Sequence, residues 1–61
     1  MKPAWNWLKN TVVLTADSYE TAKAEYDKFQ AEFPNNTLYE SSAGYDSDGK
    51  YRAIFWRTQP V

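Results

Sequence analysis

The spacing of apolar residues changes period twice along the chain. Between Trp5 and Thr15 the apolar run is Thr11-Val12-Val13-Leu14-Thr15, whose β-branched side chains favour an extended backbone. Alternation sets Val12 and Leu14 on one side and Val13 on the other, which suits a strand covered at least partly on both faces. Pro3 keeps the first residues extended or turned. Trp5 and Trp7 share a face if the strand starts that early.

From Tyr19 the period becomes helical. Tyr19, Ala22, Tyr26, Phe29 and Phe33 fall at i, i+3, i+7, i+10 and i+14, an aromatic stripe covering about 80° of the helix circumference. Asp17-Ser18-Tyr19-Glu20 predicts the helix start, with Asp17 as N-cap and Glu20 reaching back in a capping box. Glu20, Ala24, Asp27, Lys28 and Ala31 occupy the opposite side, and Lys23–Asp27 and Lys28–Glu32 are i,i+4 ion pairs. Pro34 ends the helix at or just before Phe33, and Asn35-Asn36 turns the chain.

Alternation then returns. Thr37 to Tyr45 is polar enough to read as a half-exposed edge strand. Gly49 to Thr58 reads as the central strand around which the chain is organised. Between them, Asp46-Ser47-Asp48-Gly49 predicts a type I turn with Gly49 in the left-handed position. That turn fixes a register. One face pairs Tyr45 with Tyr51, Ala43 with Ala53, Ser41 with Phe55 and Tyr39 with Arg57. The other pairs Gly44 with Arg52, Ser42 with Ile54, Glu40 with Trp56 and Leu38 with Thr58.

The expected architecture is a single α+β domain over residues 1–61, of β-α-β-β order. It has a three-stranded, mainly antiparallel sheet with one helix packed on one face. The final strand lies in the middle, giving the strand order 2-3-1, with a right-handed crossover. The alternative sets the first two strands side by side and parallel. The helix is expected on the face where Ala43 and Ala53 leave room, ringed by Tyr39, Tyr45, Tyr51 and Phe55. Arg52, Ile54 and Trp56 are left on the other face.

Composition narrows what such a domain can do. A chain of 61 residues buries only about 60% of its unfolded surface. It contains neither cysteine nor histidine, so disulfides and ordinary zinc sites are out of reach. Stability is expected from its 3 Trp, 5 Tyr and 3 Phe, or from oligomerisation. Net charge is −1, with residues 17–48 acidic and 49–61 basic, so helix and final strand tend to opposite signs. No apolar run suits a signal peptide or a membrane span, which makes the cytoplasm the expected location.

Chemistry-bearing motifs are scarce. There is no Gly-rich phosphate loop and no nucleophile elbow, and Asp46-Ser47-Asp48-Gly49 lacks the first and last ligands of a calcium loop. The expectation is a non-enzyme without cofactor or metal. What remains is a surface: Arg52, Ile54 and Trp56, with Lys50 nearby and joined by Trp5 or Trp7, as a protein-binding face. Small cysteine-free domains of this kind are ones that phages and mobile elements encode to bind and modulate a host protein. A homodimer formed sheet to sheet would use the same patch. The rival is a stacking platform for single-stranded nucleic acid, opposed by the pI of 5.1 and the seven basic residues.

Overall fold

The computed structural model of the chain describes residues 2–60. Strands β1 (Ala4–Trp7) and β2 (Thr11–Ala16) precede helix α1 (Tyr19–Glu32), and β3 (Tyr39–Tyr45) and β4 (Tyr51–Trp56) follow it. The sheet order is β1-β2-β4-β3, with every neighbouring pair antiparallel. The last strand therefore lies between β2 and β3, as its sequence suggests. The sheet has four strands, however, where the pattern predicts three.

The extra strand comes from a turn that the sequence does not mark. Leu8 N–H donates to the Thr11 carbonyl at 2.8 Å, so the chain reverses over Lys9-Asn10 without glycine or proline. Arg57 holds this tip. Its Nη1 donates to the Leu8 carbonyl at 2.8 Å and its backbone N–H to the Asn10 carbonyl at 2.9 Å. A stretch that reads as one strand from Trp5 to Thr15 is thus a hairpin.

The helix is capped by Ser18 rather than Asp17. Ser18 Oγ accepts from Thr21 N–H at 3.2 Å, and the Tyr45 hydroxyl accepts from Tyr19 N–H at 3.0 Å. Asp17 is engaged elsewhere. It follows Ala16, which pairs with Tyr51, so its carboxylate meets the Lys50 ammonium at 2.8 Å. At the other end Phe33 N–H donates to the Phe29 carbonyl at 2.9 Å before Pro34 stops the helix.

Gly49, at φ +79°, closes the β3–β4 hairpin. The Asp46 carboxylate accepts from the N–H groups of Asp48 and Lys50 at 2.9 and 3.0 Å. The expected register holds from Tyr45↔Tyr51 to Ser42↔Ile54. A bulge between Glu40 and Ser42 then shifts it, so that Glu40 faces Phe55 and Tyr39 faces Trp56. The predicted pairs Ser41–Phe55, Glu40–Trp56 and Tyr39–Arg57 are displaced by that one residue, which also exchanges the faces of Glu40 and Tyr39, while Leu38 and Thr58 lie outside the strands and Leu38 is buried in the core.

The core comprises Val12, Leu14 and Ala16 of β2, Ala53 and Phe55 of β4, Ala22 of α1, and Leu38. The helix lies over β2 and β4, on the face carrying Ala53 and Phe55. The most completely buried side chains are aliphatic, Leu14 and Val12. The aromatic stripe covers this centre rather than forming it: Tyr26 and Phe29 pack against it while Tyr19 and Phe33 stay about half exposed.

Candidate functional site

Strand alternation assigns the side chains of the sheet's other face. Three rows cross it: Thr11, Trp56 and Tyr39; then Asn6, Val13, Ile54 and Ser42; then Ala4, Thr15, Arg52 and Gly44. Among the described residues no helix or further strand lies over this face. Val13, Ile54 and Tyr39 are partly buried by their neighbours within the sheet, and Trp56 is 38% exposed. The centre is therefore an apolar and aromatic band, with Asn6 and Ser42 at the ends of its middle row.

Arg52, Ile54 and Trp56 are brought together here as alternation predicts. Two further residues join them, Val13 and Tyr39, the second of which alternation sets on the helix-covered face. Tyr39 arrives through the bulge, which turns it to the side of Trp56. Val13 arrives because β2 lies beside β4 and pairs it with Ile54. Val13 was legible as an outlier of its strand's alternation, whereas no feature of the sequence marks the bulge.

Trp5 and Trp7 do not join this face. They pair with Leu14 and Val12, and directly opposed residues of an antiparallel pair point the same way, so both rings turn to the helix side. The Trp5 ring lies tilted against Phe29 at 5.1 Å, and its indole N–H donates to Glu25 at 2.8 Å. Trp7 lies 5.7 Å from Phe29, with the Arg57 guanidinium 5.5 Å from its ring. With Phe33, 5.2 Å from Phe29, they line a groove between β1 and the C-terminal half of α1. Sequence periodicity shows the helical half of this cluster; only the unmarked β1–β2 turn reveals the rest.

Lys50 stands at the hairpin end of the sheet, bound to Asp17. The hydrogen bond from Lys50 is the largest of the influences that bring the Asp17 carboxyl down to about 2, and the same bond raises Lys50 above its ordinary value. Arg52 lies 3.7 Å from Asp46 and remains half exposed. Burial raises the Tyr51 hydroxyl above its usual pKa, and its ring stands edge-on to Tyr19 and Tyr45 at 5.5 and 5.1 Å. Among the described residues no three His, Cys, Asp or Glu side chains gather as a metal site, and no helix is long and apolar enough to cross a membrane.

These features define a small α+β domain with one helix-covered and one uncovered sheet face. Comparison with protein-family models, curated proteins and solved structures finds no match for the chain.

Proposed function

We propose that this chain is a non-enzymatic protein-binding domain and that the uncovered sheet face is its contact surface. The observation that carries this reading is the adjacency of Trp56 and Tyr39, beside Ile54 and Val13 and with Arg52 at the margin. Trp, Tyr and Arg are the side chains that most often dominate binding energy, because each joins a large apolar area to a polar tip. A sheet face with an apolar centre and a polar edge matches the core-and-rim anatomy of protein interfaces.

The experiment is affinity capture from the source cell's extract, with the parent chain and Trp56→Ala in parallel and captured proteins quantified by mass spectrometry. Trp56→Ala is expected to lose the partner while the urea midpoint reports a change below about 1.5 kcal/mol. Equal capture by both chains contradicts the reading, and so does outright unfolding of Trp56→Ala.

A further inference from the structure

β1 is an outer strand of the sheet, and its free side runs beside the aromatic groove. The bond from Leu8 N–H to Thr11 makes those two residues a hydrogen-bonded pair. Bonded and non-bonded pairs alternate along an antiparallel ladder. Counting back through the observed register, Asn6 and Ala4 turn their N–H and C=O groups to β2, while Trp5 and Trp7 turn theirs to the open edge. The same two residues send their side chains into the groove. Trp7 is 42% exposed there and Phe33 51%.

We propose that β1 and this groove form a docking site, separate from the open sheet face, for an extended peptide segment of another protein. The segment adds to the sheet as a fifth strand, antiparallel to β1, and its residues opposite Trp5 and Trp7 exchange main-chain hydrogen bonds with them. Its residues opposite those tryptophans point the same way as they do, so two apolar side chains separated by one residue enter the groove. Pro3 has no N–H to donate, so the pairing begins at Trp5. The rim carries Glu25 and Glu32 against Lys28 and Arg57. Because the signs balance, the inserted residues are uncharged.

A second copy of the chain fits this edge less well. Its own Trp5 and Trp7 are packed on its own Phe29, so it brings backbone groups without a free side chain for the groove. The opposite edge, β3, is broken by its bulge, a common guard against strand addition.

The test starts from random dodecapeptides displayed on phage and selected on the immobilised full chain, the enriched sequences then being synthesised with capped ends. Enriched peptides are expected to share two apolar residues separated by one. On binding, the backbone amides of Trp5 and Trp7 should exchange with deuterium about tenfold more slowly or better, while that of Asn6, already bonded to β2, should not change. N-methylation of either inward-facing peptide residue should weaken binding by about tenfold, and N-methylation of the residue between them should not. Phe33→Ala, at an exposed helix end, should weaken it about fivefold or more, and Trp56→Ala by less than about twofold. The proposal is overturned by a selection that enriches nothing, by binding that leaves Trp5 and Trp7 unprotected or ignores N-methylation, or by loss of binding in a Trp56→Ala chain whose urea midpoint shows it still folded. It is equally overturned if sedimentation shows a dimer that protects these amides without peptide.

Discussion

Gly49 and Leu14 show two ways in which one residue holds a small fold. At Gly49 the backbone is left-handed, and a β-carbon added there would meet nothing within 4 Å. Gly49→Ala therefore costs conformational energy alone, about 1 kcal/mol, and Gly49→Asn costs less because asparagine tolerates that region. Urea midpoints of the two variants check this ordering. Leu14 depends on packing. It is 1% exposed and sits under the helix opposite Ala53, so Leu14→Ala leaves a cavity and costs about 3–5 kcal/mol. Phe29 is only partly buried, although Trp5, Trp7 and Phe33 surround it. Its truncation is expected to cost about 2–3 kcal/mol, less than that of Leu14. Denaturant midpoints in the reverse order would place the centre of the core in the aromatic stripe instead.

At the scale of elements, what the sequence makes legible follows the strength of local signals. The helix is marked at both ends, by the short polar residues before Tyr19 and by Pro34, and its aromatic stripe shows which side packs. The β3–β4 hairpin is marked by Asp46 and Gly49, and the alternation that follows places Arg52, Ile54 and Trp56 on one face. Where tertiary contacts replace local signals, the sequence is silent. The β1–β2 tip is fixed by Arg57, 47 to 49 positions away along the chain. Asp17 is drawn from the expected capping role by Lys50, 33 positions on. That Asp17–Lys50 pair joins the ends of β2 and β4 and carries a pH signature. The Asp17 carboxyl falls from its usual 3.8 to about 2 in the fold, so its contribution is whole above pH 4 and disappears as pH falls toward 2. Lys50 is raised, so the same bond persists below its ordinary value and is lost only in strong alkali. Both side chains are 43% exposed, which keeps the effect small and salt-sensitive. Urea midpoints taken from pH 5 to pH 2 should fall less steeply for Asp17→Asn than for the parent; parallel curves would remove the pair from the acid response.

For the whole molecule, one helix over a four-stranded sheet leaves the sheet's other face without a covering helix or strand among the described residues. Among the described residues the buried set is seven, and on the proposed reading the apolar band of the open face is what another molecule covers. We propose that this molecule is a protein, a reading the charge balance supports. Arg52 is the basic side chain of the three rows that cross the face, and Asp46 lies beside it. Short single-stranded oligonucleotides should therefore quench tryptophan fluorescence weakly or not at all at low salt. Micromolar binding that falls steeply as salt rises would favour nucleic acid instead, because counterion release requires that slope. The central claim concerns Trp56, and oxidative footprinting of its ring reports on it most directly, in the free chain and in the complex isolated from the extract. The account predicts that Trp56 is readily oxidised in the free chain and shielded in the complex, while Trp5, packed against Phe29, reacts slowly in both. A Trp56 already shielded in the free monomer, or oxidised equally in the complex, would contradict it.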